Sequence, residues 1–147
     1  MNDAKLKKTV EDLFAELDIK AEVKAEVTDD SYNLSLESQD NALIIGKHGN
    51  TLSSFELIIA LILAKKTGEY KRVIIEVGDY RKEREEYLKQ LTEKLKENVV
   101  ATGYEKTVRG LKPWERRLIH IYLQEDDRVT TESTGEGNDR VLVIKKK

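Results

Sequence analysis

Two short groups of residues in this 147-residue chain have the types and spacing that phosphate recognition needs. The first is Gly46-Lys47-His48-Gly49, whose glycines let backbone N–H groups approach an anion without a Cβ in the way. A helix is predicted to begin directly after this loop, so the positive end of its dipole points toward the same place. Lys47 adds a charge, and His48 adds a hydrogen-bond donor whose strength depends on pH. The pattern predicts a phosphate-binding loop, although Gly-x-x-Gly alone is more often a plain turn.

The second group is Arg116 and His120, which stand four residues apart on a predicted helix. At that spacing they lie within about 40° of each other around the helix axis. An arginine can hold a phosphate as a fork while the histidine supplies a second donor, and Arg117 is a further candidate contact. The pair is predicted to face away from an apolar side formed by Trp114, Leu118, Ile121 and Tyr122. The alternative is that His120 only forms a hydrogen bond with a neighbouring strand.

The elements that position the first group follow from hydrophobic periodicity. The pattern predicts a helix over 3–17, a hairpin of strands over 19–28 and 31–37, a short apolar stretch over 42–45, a helix over 51–65 and a strand over 72–77. The predicted order is therefore helix, strand, strand, helix, helix, strand. This order places the Gly-x-x-Gly loop between two helices.

The second half of the chain has its own elements. The pattern predicts a long helix over 79–100, a short strand over 104–109, a helix with Pro113 in its first turn that runs to about 124, and strands over 129–133 and 140–144 around a Gly-rich turn. One face of the long helix carries the apolar residues Tyr80, Tyr87, Leu88, Leu91, Leu95 and Val99. We therefore predict an α+β chain of two small domains, 1–78 and 79–147, the second an α/β module with a small three-stranded sheet.

The charge of the chain is unevenly distributed. The net charge of −2 divides into −6 over residues 1–40, +2 over 41–78 and +2 over 79–147. The acidity thus lies in the first segment, and both groups of candidate residues lie in segments with an excess of Lys and Arg. This distribution is compatible with nucleic-acid binding, and equally with a solvated surface of mixed charge.

Composition excludes several kinds of chemistry. The chain has no cysteine and only two histidines, which removes disulfides, thiol catalysis and any His/Cys zinc cluster. The longest apolar stretch, residues 57–64, is too short to span a bilayer, and residues 1–18 do not resemble a signal peptide. We therefore expect a cytoplasmic protein with no direct membrane insertion. Composition does not exclude a carboxylate-rich Mg²⁺ or Ca²⁺ site, but no pattern identifies one, so neither a cofactor nor a metal ligand is predicted.

Two features of the first half are typical of a known family: residues 43–49, and the apolar helix that follows them from Leu52 to Leu63. On these features the chain resembles the KH family, in its bacterial, type II arrangement, over residues 3–78. The resemblance implies that the loop clamps the backbone of about four unpaired nucleotides while an adjacent groove receives their bases. Gly46, Lys47, His48 and Gly49 then inherit the clamp role. Ile45 is the best groove candidate, whereas Ile44 and Leu52 are expected in the core.

Residues 113–120 and 129–137 are similar to the module named for its Arg-x-x-x-His signature, a binder of single-stranded nucleic acid, over residues 79–147. A KH domain joined directly to this module is the pattern of the bacterial Jag family, the SpoIIIJ-associated RNA-binding proteins also called KhpB. Family members commonly carry an additional N-terminal Jag domain, which we expect to be absent here because the sequence begins at the KH helix. The resemblance implies non-catalytic binding of single-stranded RNA, or of single-stranded DNA, in post-transcriptional regulation linked to the cell envelope, cell shape or division.

Two other classes of function are alternatives. The chain could be an adaptor that associates with a second KH protein or with another copy of itself, which is compatible with RNA binding. It could instead be a nuclease or phosphatase that uses His120 with carboxylates, but it has no His-x-x-x-His, Gly-x-Ser-x-Gly or Walker motif. No catalytic residue is therefore predicted.

Overall fold

The computed structural model describes residues 1–147 and divides them into two compact units, 1–81 and 82–147. Each unit folds around its own apolar core. The predicted α+β class with two small domains is confirmed, and the division lies close to the predicted boundary after residue 78. No helix combines the length and the hydrophobicity that a bilayer-spanning segment requires.

The first unit contains the predicted order of elements. They are α1 (Asp3–Glu16), β1 (Glu22–Val27), β2 (Ser31–Glu37), α2 (Asn41–Ile45), α3 (Asn50–Thr67) and β3 (Arg72–Val77), with a 3-10 turn at Lys47–Gly49 between α2 and α3. Strand β1 begins later than predicted because the N–H of Ile19 still bonds to Phe14 O and closes the end of α1. The Gly-x-x-Gly loop lies between two helices, as the sequence predicts.

The sheet of the first unit has the order β1-β2-β3, with β1 antiparallel and β3 parallel to the central strand β2. Alternate residues of β2 and β3 are buried, because one face of the sheet packs against the helices. The central members of the core are Leu6, Val10, Phe14, Leu34, Ile44, Ile59, Leu63 and Ile75. Helices α2 and α3 are thus anchored on the same core, and the loop that joins them is held at both ends.

The second unit contains the remaining elements. They are α4 (Tyr80–Thr102, which begins in the first unit), β4 (Lys106–Val108), α5 (Pro113–Leu123), β5 (Val129–Thr134) and β6 (Val141–Lys146), with a 3-10 turn at Gly137–Asp139. The predicted three-stranded sheet is present in the order β4-β6-β5, and both pairings are antiparallel. Strand β5 lies next to α5, so side chains from both elements can form one site.

The predicted core face of α5 is wrong for two of its four residues. Ile121 is 52% and Tyr122 37% exposed, whereas Ile119, Leu123 and Glu115 are buried. Apolar side chains occupy most of the circumference of this helix, so periodicity alone does not select one face. As a result, Arg116 and His120 flank the buried face, at about 60° and 100° from its centre, instead of lying opposite to it.

A buried ion pair holds α5 in this rotation. Glu115 is completely buried, and its Oε2 lies 2.5 Å from Nε of Arg84 on α4. The other carboxylate oxygen accepts a hydrogen bond of 2.8 Å from the N–H of Lys112, at the start of α5. Because a buried carboxylate without partners is costly, the helix cannot roll about its axis without breaking these contacts.

A second polar network holds the other end of α5. The Tyr122 hydroxyl donates to Glu93 at 2.7 Å, and Lys96 bonds to Glu93 at 2.9 Å and to Asp126 at 3.4 Å. The Arg128 side chain, its backbone N–H and Lys96 hold the pKa of Asp126 well below its usual range. Hydrogen bonds from Tyr122 and Lys96 lower the pKa of Glu93. Both carboxylates therefore stay charged near neutral pH, and α5 is tied to α4 at both ends.

Candidate nucleic-acid interface

The loop after α2 adopts a backbone conformation that its glycines make accessible. Gly46 has φ 70° and ψ −173°, a region that only glycine readily adopts. A Cβ at Gly46 would overlap the side chain of Thr51, and a Cβ at Gly49 would lie 2.9 Å from the Tyr80 hydroxyl. His48 is also left-handed, with φ 53°. The two glycines thus let the chain turn sharply between α2 and α3 while it lies close to side chains of α3 and α4.

This turn presents two polar side chains next to a helix start. Lys47 and His48 are exposed, whereas Gly49 is buried. Gly49 is also the N-cap residue of α3, and it provides no side-chain acceptor for the first N–H groups of that helix. The N-terminal N–H groups and the dipole of α3 therefore add to the charge of Lys47. The arrangement suits a phosphate oxygen better than a cation.

The apolar residues before the loop divide between core and surface. Ile44 is fully buried, and Leu52 is 8% exposed, so the expectation that both lie in the core is confirmed. Ile45 is half-buried and packs against the same core, which leaves part of its side chain at the surface beside Gly46. Leu43 is 64% exposed. The structure thus places the groove candidate Ile45 at the edge of the core.

The second group of candidates lines one depression of about 410 Å³ in the second unit. Its wall on α5 includes Pro113, Arg116, Arg117 and His120, and the other lining residues are Thr131, Ser133 and Arg140 on the sheet side. All three candidates predicted on α5 therefore meet at one surface. No carboxylate is among the residues that line the depression, so its charged side chains are all arginines.

Two of these side chains are held by bonds to the protein itself. Nη1 of Arg116 donates to the carbonyl of Leu111 at 2.6 Å. Nδ1 of His120 lies 2.7 Å from the hydroxyl of Thr131 on β5, which is the strand contact that the sequence left as an alternative. This contact uses one ring nitrogen and leaves Nε2 for a ligand. Each side chain is thereby oriented before any ligand arrives.

The family models agree with this division of the chain. The model described as the KhpA/KhpB KH domain matches residues 4–77, and the model of the domain named for its Arg-x-x-x-His signature matches residues 86–146. The chain belongs to the KhpA/KhpB family. The predicted resemblance to the KhpB and Jag proteins is therefore confirmed.

Curated relatives are similar along most of this chain. It is 31% identical to the RNA-binding protein KhpB of Clostridium symbiosum over 137 residues and 33% identical to that of Bacillus subtilis over 130 residues. These alignments cover 92% and 87% of this chain and 62% of each relative. The KhpB protein of Lactiplantibacillus plantarum is 30% identical over 88% of this chain and 40% of the relative. The chain thus spans about three fifths or less of the length of the relatives it matches.

Several residues in or beside the two candidate sites of this KhpB-like chain were not identified from the sequence. Tyr80 was assigned to the apolar face of the long helix, but it packs against the core of the KH domain and lies behind Gly49. Thr131 and Ser133 share one side of β5 with the buried Val129, which strand alternation could have revealed. Arg140 lies beyond a turn, and no local pattern connects it to α5.

The KhpB-like chain contains no group of three or more His, Cys, Asp or Glu side chains placed to hold a metal ion. The roles of the residues in both regions remain predictions.

We predict that Gly46→Ala destabilises the KH domain more than Gly68→Ala. Both glycines have positive φ, but Gly68 lies in the left-handed helical region and has open space around its Cα, whereas Gly46 faces Thr51. The alanine at position 68 should cost about 1 kcal/mol, and that at position 46 about 1–3 kcal/mol more. Thermal unfolding monitored by circular dichroism measures both changes, and equal melting temperatures would contradict the tight-turn interpretation.

Proposed function

We propose that this protein binds single-stranded RNA without altering it, through the Gly-x-x-Gly loop of its KH domain and the arginine-lined depression of its second domain. The observation that carries the proposal is that depression: Arg116, Arg117 and His120 converge there without a carboxylate. Such a site attracts an anion, and the phosphodiester backbone is a polyanion that a positive surface recognises without regard to sequence. The KhpB relatives are named RNA-binding proteins, which supports the same ligand class.

The KH loop would bind the backbone of an unpaired strand. Lys47 and His48 would approach phosphate oxygens from the exposed side of the turn, while N–H groups at the start of α3 point toward the same anion. Ile45 would contact a base next to the clamped phosphates. Since the loop requires no base-specific hydrogen bond, the clamp itself would tolerate many sequences.

The second domain would add a separate phosphate contact. Arg116 has one nitrogen committed to Leu111 and further N–H groups for a ligand, while Nε2 of His120 is the second contact. If one strand engages both domains, its second contact becomes intramolecular, and affinity should increase with RNA length. Single-stranded DNA is a competing ligand because the phosphate contacts do not involve the 2′-hydroxyl.

The proposed role does not include catalysis. Hydrolysis needs a positioned base, an activated nucleophile or clustered metal ligands. His120 is held by Thr131, and no carboxylate lines its depression. We propose that the protein acts in the cytoplasm in post-transcriptional regulation, with the link to cell envelope, shape or division that the family resemblance implies.

We predict that Lys47→Asp weakens binding of single-stranded RNA, and that adding His48→Asp weakens it further, because carboxylates would then face the phosphates. Fluorescence anisotropy of a labelled RNA measures the affinity. Lys65→Asp is the matched control, since Lys65 is also exposed and lies at the other end of α3. If Lys47→Asp and Lys65→Asp have the same effect, net charge alone is responsible and the loop is not a clamp.

We also predict that Arg116→Ala reduces RNA affinity by about 1–3 kcal/mol and lowers the slope of log K against log salt by about one. His120→Ala should reduce affinity as well. Because Arg116 bonds to Leu111 and His120 to Thr131, the melting temperatures must be measured in parallel. Variants that melt earlier but keep the wild-type affinity and salt slope would show that both residues serve only the fold.

A second candidate function, association between two copies of the KH domain, is favoured by one observation. Leu57, Ile58 and Leu61 form an apolar stripe on α3 and are 53%, 45% and 54% exposed. Glu56 is the only charged residue between 50 and 64, and its carboxylate accepts from the N–H of Ile75. Two copies of the stripe can therefore meet about a two-fold axis without repulsion between like charges.

We predict that this association survives nuclease treatment and high salt and that Leu61→Glu abolishes it, because an apolar contact does not depend on phosphate. Sedimentation velocity over a range of protein concentrations measures the oligomeric state. A wild-type protein that remains monomeric throughout would exclude the second candidate and leave the RNA-binding proposal unaffected.

A further inference from the structure

Arg140 lines the same depression as the candidates on α5. It immediately precedes β6, and its neighbour Val141 pairs with Thr134 at the end of β5. The residue therefore follows the turn that connects the two strands, next to Ser133 and Thr131, which line the same depression. Arg140 thus adds a cation from the sheet side to the depression that Arg116 lines from the helix.

The turn before Arg140 brings the chain back sharply. Gly135 has φ 89°, and a Cβ there would lie 3.0 Å from the carbonyl oxygen of Asp139 and 3.3 Å from Cα of Arg140. Nη1 of Arg140 then donates to the carbonyl of Gly135 at 3.2 Å. The turn that begins at Gly135 therefore both places Arg140 beside the depression and orients its side chain.

Arg140 differs from other arginines of the second unit in the kind of group to which it bonds. Arg84 and Arg128 bond to carboxylates, Glu115 and Asp126, which compensate their charge. Arg116 and Arg140 bond to backbone carbonyls instead. A carbonyl orients a guanidinium without neutralising it, so the full charge remains for an anion.

We infer that Arg140 is a further RNA-contacting residue, which binds backbone phosphate from the sheet side of the depression while Arg116 and His120 bind from α5. This inference rests on the proposed function. It makes the site two-sided, so that a single strand lies between helix and sheet, with Thr131 and Ser133 on the same side as Arg140. A guanidinium on each wall can hold the strand more firmly than a cluster on one helix.

The inference is tested with the full-length chain and a labelled single-stranded RNA in anisotropy titrations over several salt concentrations. Arg140→Gln should weaken binding about tenfold and lower the log–log salt slope by about one. Lys94→Gln, an exposed residue of α4 outside the depression, removes the same charge and should change affinity less than about twofold. All titrations are made well below the lowest melting temperature of the set.

Failure of the inference about Arg140 can be distinguished from failure of the proposed function of the second domain. If Arg116→Gln weakens binding but Arg140→Gln matches Lys94→Gln, the inference about Arg140 is overturned and the α5 site stands. If neither Arg116→Gln nor Arg140→Gln differs from Lys94→Gln, the depression is not an RNA site, and the proposed function of the second domain is overturned together with the inference.

Discussion

The geometry of the second domain depends on the buried ion pair between Arg84 and Glu115. This pair joins α4 to α5 where no water can compensate the carboxylate, and the N–H of Lys112 satisfies the remaining oxygen. Rolling α5 would leave a buried charge without partners, at a cost of about 3–5 kcal/mol. Arg116 and His120 are therefore placed beside the buried face, within reach of Leu111 and β5. The positions of the surface residues Arg116 and His120 are thus determined by the buried contact between Arg84 and Glu115.

The two candidate sites achieve preorganisation by different means. In the KH domain the backbone is constrained: Gly46 adopts a conformation that other residues avoid, and Gly49 lies against Tyr80. In the second domain the side chains are constrained, because Arg116, His120 and Arg140 each use one donor or acceptor on the protein itself. In both cases the conformational entropy of the contacting groups is lost during folding and not on binding, so binding of the ligand is less unfavourable in entropy.

The sequence predicted the order of elements in the first unit because each has a clear period and ends at turn residues. The loop was also predictable, since glycine spacing is a local signal. The core face of α5 was not predictable, because apolar residues cover more than half of the circumference of that helix and the deciding contact, Arg84 with Glu115, joins residues 31 positions apart. The positions of Arg140 and Tyr80 were not predictable for the same reason. They depend on tertiary packing, which the periodicity of a single sequence does not encode.

We propose that RNA contacts both the Gly-x-x-Gly loop and the depression between α5 and the sheet. The most direct measurement is photo-crosslinking of the chain to a single-stranded RNA that contains a photoreactive base, followed by mass spectrometry of the crosslinked peptides. Crosslinks are expected within residues 43–51 and within residues 113–120 or 131–140. Efficient crosslinking confined to other parts of the chain would contradict this proposal.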